Sequence, residues 1–226
     1  MKINGVAHES HDEYLVLKQS SIPVDIPAHV LLTSDASSDE FILLIHGFGQ
    51  TAKIFSERIS EFLGDRPICA VQAPFPVLTS GRQIGYSWYA FDRETNTFQI
   101  PIATGVDFLR KTLEHFRVAD RIRKVIGYSQ GGYMAPFIGL RLPHVKQVIG
   151  INCRFKDEDL SGSKISFRID AIHGANDAIV EPEKARASHQ KLIEMGCTGT
   201  FTVLPDTAHE LSEPIGRAVT KALSLA

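Results

Sequence analysis

Short runs of apolar, often β-branched residues recur along the chain and alternate with stretches in which apolar residues return every three or four positions. Several runs are apolar at consecutive positions, which predicts strands buried on both faces of a sheet. These predicted strands lie at residues 41–45, 68–71, 124–127, 147–151, 167–172 and 200–204. The helical periodicity predicts helices at about residues 51–63, 104–117, 130–141, 182–195 and 212–225. Strands alternating with helices predict an α/β fold, with a mostly parallel central sheet and helices on both faces.

Two parts of the chain depart from this alternation. Residues 14–18 and 30–33 are predicted to form an antiparallel hairpin ahead of the first parallel strand. Residues 74–101 contain three prolines, two glycines and six aromatic residues, and are predicted to be a loop insertion that is either functional or conceals short elements. Because no repeat or linker divides the chain, residues 1–226 are predicted to form one domain.

The composition is that of an ordinary globular protein, since 43% of the residues are hydrophobic and the formal net charge is −2. So small a charge argues against a dedicated partner among nucleic acids or anionic membranes. The three cysteines, Cys69, Cys153 and Cys197, are odd in number and far apart, unlike the disulfide framework of a small secreted domain. With no signal-like N-terminus and no run of about 18 apolar residues, we expect a cytoplasmic protein without stable membrane insertion. A homodimer is compatible with this composition.

A candidate nucleophile lies in residues 127–132, Gly-Tyr-Ser-Gln-Gly-Gly, which contain the pattern G-x-S-x-G. The bare pattern is weak, but here it joins the end of a predicted strand to the start of a predicted helix. Such a turn is the setting of a nucleophile elbow, in which a strained backbone exposes the serine hydroxyl. We therefore predict Ser129 to be a nucleophile. The competing interpretation is an ordinary glycine-rich turn in which Ser129 caps the helix.

A serine hydroxyl needs a general base, and the base needs an orienting carboxylate. With the serine on such an elbow, the expected chain order is Ser, then Asp or Glu, then His. His144 and His189 follow Ser129 but belong in or beside predicted helices, where a solvent-exposed histidine is expected. Of the histidines that follow Ser129, His173 and His209 therefore remain as candidate bases.

Only Asp177 followed by His209 places both groups on strand-to-helix loops at the sheet edge that carries Ser129. We predict His209 as general base and acid and Asp177 as the carboxylate that orients it. Asp206, close to His209 in sequence, stays the alternative carboxylate. His173 is interpreted as a structural residue that holds the Asp177 loop.

Residues 46–50, His-Gly-Phe-Gly-Gln, follow another predicted strand and precede a helix. Backbone N–H groups held in such a turn can stabilise the negative charge that develops on a carbonyl oxygen. We predict the amides of Phe48 and Gln130 to form this oxyanion hole, and His46 to brace the loop. A phosphate-binding role is disfavoured because neither G-x-x-x-x-G-K-[ST] nor G-x-G-x-x-G occurs.

These segments, together with residues 72–76 (Gln-Ala-Pro-Phe-Pro), 173–177 (His-Gly-Ala-Asn-Asp) and 208–209 (Ala-His), resemble the phospholipase/carboxylesterase branch of the α/β-hydrolase fold. Acyl-protein thioesterases and small bacterial carboxylesterases have the same pattern. The resemblance implies a serine hydrolase without cofactor or metal that cleaves a small acyl ester or thioester. It also implies Ser129, Asp177 and His209 as the triad, with the Phe48 and Gln130 amides as the oxyanion hole.

The sequence departs from this family at residues 86–92, which are longer and differently ordered than the compact Trp-Phe-Asp of many members. The substrate pocket therefore does not transfer, and Trp88 and Tyr89 either line an acyl pocket or pack the insertion onto the domain. A hydrolase-fold binding protein without turnover and a small serine peptidase stay as alternatives. Metal-dependent hydrolysis is disfavoured because His209-Glu210 is not part of H-E-x-x-H.

Overall fold

The computed structural model describes residues 25–32, 39–92, 94–95 and 97–225. The strands are β1 (Val30–Leu32), β2 (Phe41–Ile45), β3 (Ile68–Val71), β4 (Phe75–Leu78), β5 (Ile84–Ser87), β6 (Ala90–Asp92), β7 (Thr97–Ile100), β8 (Ile122–Tyr128), β9 (Gln147–Ile151), β10 (Arg168–Gly174) and β11 (Phe201–Leu204). The α-helices are α1 (Ala52–Ile59), α2 (Ile102–His115), α3 (Gln130–Gly139), α4 (Asp157–Leu160), α5 (Pro182–Glu194) and α6 (Glu213–Leu223).

Seven strands form one sheet in the order β1-β3-β2-β8-β9-β10-β11. β1 runs antiparallel to β3, and the other neighbouring pairs are parallel. This arrangement confirms the predicted α/β class with a mostly parallel sheet. β1 covers most of the predicted 30–33 strand, whereas its predicted partner at 14–18 lies outside the described residues.

The sheet is covered on both faces, and the strands β2, β3 and β9 are buried at every position. In β2, Phe41, Leu43 and Ile45 pack in the layer that contains α2, α3, α4 and α5. The intervening Ile42 and Leu44 pack in the opposite layer, with α1 and α6. Consecutive apolar residues are therefore needed in this strand, because both of its faces are removed from water.

Of the two interpretations of residues 74–101, the structure shows that the segment conceals short elements, because it folds into two antiparallel hairpins, β4–β5 and β6–β7. The strands have only three or four residues and contain few fully buried positions, so their hydrophobic pattern is weak. The polar tetrad Thr-Ser-Gly-Arg at 79–82 was the available sequence signal, since it separates the two strands of the first hairpin. The short helix α4 was also not predicted.

A buried carboxylate ties together the amino-terminal ends of β9, β10 and β11. Asp170 accepts hydrogen bonds from the Gln147 side chain at 2.8 Å and the Arg168 guanidinium at 2.7 and 2.8 Å. It also accepts from the backbone and hydroxyl of Thr200 at 2.9 and 2.8 Å. Burial alone raises the pKa of Asp170, but these hydrogen bonds outweigh burial and lower the pKa below its ordinary value of 3.8.

The lowered pKa makes Asp170 a source of pH-dependent stability. Because the folded-state pKa lies below the unfolded one, this contribution is complete above about pH 4 and is lost as the pH falls through the folded-state pKa. We expect the free energy of unfolding to fall more steeply below about pH 4 in the wild type than in Asp170→Asn. Urea unfolding of both proteins over a pH series measures this difference, and equal slopes would contradict it.

Candidate active site

Ser129 lies in the turn between β8 and α3, with φ 49° and ψ −115°. This left-handed backbone is strained for a residue other than glycine, so the surrounding packing must hold it. The Ser129 amide donates to the Ile151 carbonyl of β9 at 2.9 Å. Gly131 then allows the start of α3 to approach β2, because a Cβ at this position would lie 2.1 Å from the Ile45 carbonyl oxygen. The predicted elbow geometry is therefore present around Ser129.

Three of the predicted side chains form one hydrogen-bonded chain. His209 Nδ1 lies 2.8 Å from Asp177 Oδ2, and His209 Nε2 lies 2.9 Å from Ser129 Oγ. Since the carboxylate oxygen accepts, Nδ1 carries the imidazole proton and Nε2 is free to accept the serine proton. Asp206, the alternative carboxylate, has an exposed side chain in the same loop as His209 and does not take this position.

Asp177 is buried, and several donors converge on its carboxylate. Oδ1 accepts from the amides of Ile179 and Val180, both at 2.9 Å. Oδ2 faces His209 and also lies 3.2 Å from Nε2 of His173. A buried carboxylate with this many donors is held in one orientation, which in turn orients His209.

His173 contacts the Asp177 loop as predicted. Its Nε2 donates to the Val180 carbonyl at 2.9 Å, because a carbonyl can only accept. Burial lowers the pKa of His173, with the Val180 carbonyl and Asp177 acting in the opposite direction, and its ring stacks on Phe201 at 6.1 Å. The neutral ring therefore braces the loop. His189, by contrast, was wrongly expected to be solvent-exposed: it is buried in α5 and donates to a backbone carbonyl of β10.

The two predicted oxyanion donors lie on adjoining segments. Gln130 is the first residue of α3, so its amide has no acceptor within the helix. Within the described chain, the Phe48 amide donates to no protein acceptor, while the neighbouring Gly49 amide donates to the Tyr86 carbonyl at 2.9 Å. The start of α3 packs against this loop, since a Cβ on Gly131 would also lie 2.7 Å from the His46 carbonyl oxygen.

His46 braces the loop of residues 46–50, which we call the oxyanion loop. Its Nε2 accepts from the Ala73 amide at 3.1 Å, so the imidazole proton is on Nδ1, which donates to the Gly47 carbonyl at 2.8 Å. Burial lowers the pKa of His46 to about 4, with the hydrogen bond to Gly47 opposing this effect. A neutral, buried imidazole whose two nitrogens both bind backbone groups agrees with the predicted bracing role.

The question left open for Trp88 and Tyr89 is decided in favour of packing, because both side chains are buried. Trp88 Nε1 donates to the His46 carbonyl at 2.9 Å, and the Tyr89 ring packs on Phe98 at 5.7 Å. The Gln130 side chain, which was not predicted to act, accepts from the Trp88 amide at 2.9 Å and donates to the Tyr89 carbonyl at 2.8 Å. The elbow therefore holds the link between the two hairpins directly.

Residues 27–225 match the family model described as phospholipase/carboxylesterase. Because this match covers most of the chain and the fold agrees, the chain belongs to the phospholipase/carboxylesterase family of hydrolases. Esterase YpfH of Escherichia coli (strain K12) is 23% identical over 188 residues, which are 80% of this chain and 81% of that protein.

Solved structures of similar fold include esterase PE8, with a TM-score of 0.72, 20% identity, and coverage of 89% of this chain and 99% of that chain. Zea mays acyl-protein thioesterase 2 has a TM-score of 0.64 and 18% identity, with coverage of 89% and 99%. At these identities the structures support the α/β-hydrolase fold. In the described part of the chain, no helix is long and apolar enough to cross a membrane, and no three His, Cys, Asp or Glu side chains form a metal-binding group.

The contact between β5 and the oxyanion loop leads to a prediction. A Cβ on Gly85 would lie 2.0 Å from the Gly49 carbonyl oxygen, so Gly85→Ala must displace the loop that carries Phe48. We expect this change to lower kcat for ester hydrolysis by at least about tenfold, because donors of an oxyanion hole act only when correctly placed. Gly81→Ala in the same hairpin is the control, since its Cβ would meet only Thr79 Oγ1, at 4.0 Å. Equal kcat values in the two variants would contradict the prediction.

Proposed function

We propose that this protein hydrolyses carboxylic esters or thioesters of small acyl substrates through an acyl-enzyme formed on Ser129. The observation that supports this proposal best is the hydrogen-bonded chain from Ser129 through His209 to Asp177, with distances of 2.9 and 2.8 Å. Membership of a carboxylesterase family supports the same activity. Carboxylesterase, lysophospholipase and thioesterase reactions share this chemistry and differ in the acyl and leaving groups.

In the acylation step, Ser129 Oγ attacks the substrate carbonyl carbon while His209 Nε2 accepts the hydroxyl proton. The carbonyl oxygen becomes an oxyanion, which the amides of Phe48 and Gln130 stabilise. The bond to the leaving group then breaks, and His209 returns the proton to the departing alcohol or thiol. The product of this step is an acyl ester of Ser129.

In the deacylation step, water takes the place of the leaving group and His209 accepts one of its protons as the oxygen attacks the acyl carbon. The second tetrahedral intermediate uses the same two amides. When it collapses, the carboxylic acid leaves and the proton returns to Ser129 Oγ. Asp177 stays a carboxylate throughout, because its role is to hold the imidazole tautomer and stabilise the imidazolium.

The proposal extends to the environment of the protein. The described residues build a seven-stranded sheet with a hydrophobic layer on each face, which supports the proposal of a single domain. Three buried, unpaired cysteines support a reducing, cytoplasmic location.

The near-zero net charge supports a neutral acyl substrate rather than a nucleic acid. Phe48 has 61% of its surface exposed, so the oxyanion loop offers an apolar contact to such a substrate.

Removing the nucleophile tests the proposed function. We expect Ser129→Ala to abolish turnover of p-nitrophenyl esters and labelling by a fluorophosphonate, because it removes the hydroxyl that is hydrogen-bonded to the general base His209. Circular dichroism should show a wild-type fold, since alanine removes a single oxygen atom. Hydrolysis at the wild-type rate by Ser129→Ala would show that the proposal is wrong, whereas a wild-type protein inactive on esters and thioesters of all chain lengths would favour the binding-protein alternative.

Exchanging the orienting carboxylate for an amide tests the second half of the triad. We expect Asp177→Asn to lower kcat by about 10⁴-fold, because the amide favours the wrong imidazole tautomer and removes the counter-charge. Asp206→Asn is the matched control and should retain wild-type kcat, since its side chain is exposed. Steady-state hydrolysis of a p-nitrophenyl ester measures both variants, and the reverse ranking would assign the carboxylate role to Asp206.

A further inference from the structure

His209 lies in an irregular segment, residues 205–212, between β11 and α6. To act as a base, its ring must stay within hydrogen-bond distance of Ser129 on one side and Asp177 on the other. An irregular segment does not provide such order by itself, because its backbone groups have no regular partners within the segment. Contacts from outside the segment must therefore fix the position of His209.

Side chains at the ends of two neighbouring strands, β8 and β9, bind three consecutive backbone carbonyls around His209. Asn152 Nδ2 donates to the Ala208 carbonyl at 3.2 Å and to the Glu210 carbonyl at 3.1 Å. Tyr128 Oη donates to the carbonyl of His209 itself at 3.1 Å. We name Asn152 and Tyr128, with the three carbonyls that they bind, the carbonyl cradle.

Asn152 is fully buried and follows the last residue of β9, where its backbone adopts φ 46°. Asparagine tolerates this left-handed conformation better than most residues. Its Oδ1 accepts from the Gly174 amide at 2.9 Å, and this contact identifies the other amide atom as the donor nitrogen. The Asn152 backbone amide also donates to the Ile172 carbonyl at 2.9 Å. Asn152 therefore joins the end of β10 to the carbonyls on both sides of His209.

Tyr128 is the last residue of β8 and directly precedes Ser129 in the chain. Its ring lies 5.4 Å from the His209 ring and 6.2 Å from Phe55, so the phenol is held on both sides. Burial, followed by the nearby Asp177 charge, raises the pKa of Tyr128 to about 12, which keeps the hydroxyl a donor. This contact relates the His209 backbone directly to the strand that carries the nucleophile.

We propose that Tyr128 and Asn152 are positioning residues, which place His209 against Ser129 by binding the carbonyls of residues 208–210. This inference rests on the proposed function, in which His209 is the general base. Both side chains donate to backbone carbonyls rather than to Ser129 Oγ or the imidazole nitrogens, so their effect is on the geometry of His209. Their loss should lower kcat while the affinity for substrate changes little.

Two variants remove the donors while sparing the backbone. Tyr128→Phe deletes only the hydroxyl and keeps the ring contacts, and Asn152→Gly keeps a residue that tolerates φ 46°. We expect kcat on a p-nitrophenyl ester to fall about tenfold in Tyr128→Phe and about 100-fold in Asn152→Gly, with KM within about threefold of wild type. Both variants should also weaken the downfield proton resonance of the His209 Nδ1–H that is shared with Asp177.

Gln147→Ala is the matched control for a merely structural effect. Gln147 is a buried amide at the other end of β9, and it donates to the Ala222 carbonyl at 2.9 Å. Its removal should lower the free energy of unfolding but leave kcat and the His209 resonance unchanged at temperatures where the protein is folded. A loss of kcat in Gln147→Ala as large as in the two cradle variants would overturn the proposal.

Wild-type kcat and an unchanged His209 resonance in folded Tyr128→Phe would also overturn it, and this variant decides the matter if Asn152→Gly does not fold. Ser129→Ala, measured in parallel, separates this proposal from the proposed function. If Ser129→Ala remains active, the proposed function fails and the cradle proposal with it. If Ser129→Ala is inactive while both cradle variants match the wild type, only the cradle proposal fails.

Discussion

The site depends on the hydrogen-bonded register of four parallel strands, β8 to β11, because that register continues past the strand ends into the loops that carry the chemistry. The backbone amides of Ser129, Asn152 and Ala175, each just beyond a strand, donate to carbonyls of the neighbouring strand at 2.9, 2.9 and 2.8 Å. The loops therefore begin from one ordered edge of the sheet. Residues far apart in the chain meet there with little freedom left to lose, which is the condition for a preorganised site.

Burial of Asp177, His46 and His173 at this edge is tolerated because each side chain has at least one hydrogen-bond partner. Asp177 would be costly to bury alone, but backbone amides and two imidazoles surround its carboxylate. His46 and His173 are both buried with lowered pKa values, so they brace their loops as neutral rings without adding charge. The same principle explains the link between the two hairpins, residues 88–89. There the side-chain amide of Gln130 binds backbone groups that would otherwise lack partners.

The elements that sequence analysis located well are those with strong periodicity and two buried faces. β2 and β9 match their predicted bounds, and α5 ends one residue before its predicted end. The two hairpins at 74–101 were missed because their strands are short, partly exposed and paired with each other rather than with the central sheet. His189 was misjudged for a related reason: helical periodicity does not reveal which face of α5 lies against the sheet.

The sequence by itself determined the α/β class, the family pattern and the order of Ser129, Asp177 and His209, because strand ends and turn residues are local features that periodicity and motifs reveal. Only the tertiary structure decided that Asp177 rather than Asp206 meets His209, that Trp88 and Tyr89 are buried, and that Asn152 holds the segment around His209. These outcomes depend on which atoms come within about 3 Å across the sheet edge, and contacts between residues distant in the chain leave no local pattern.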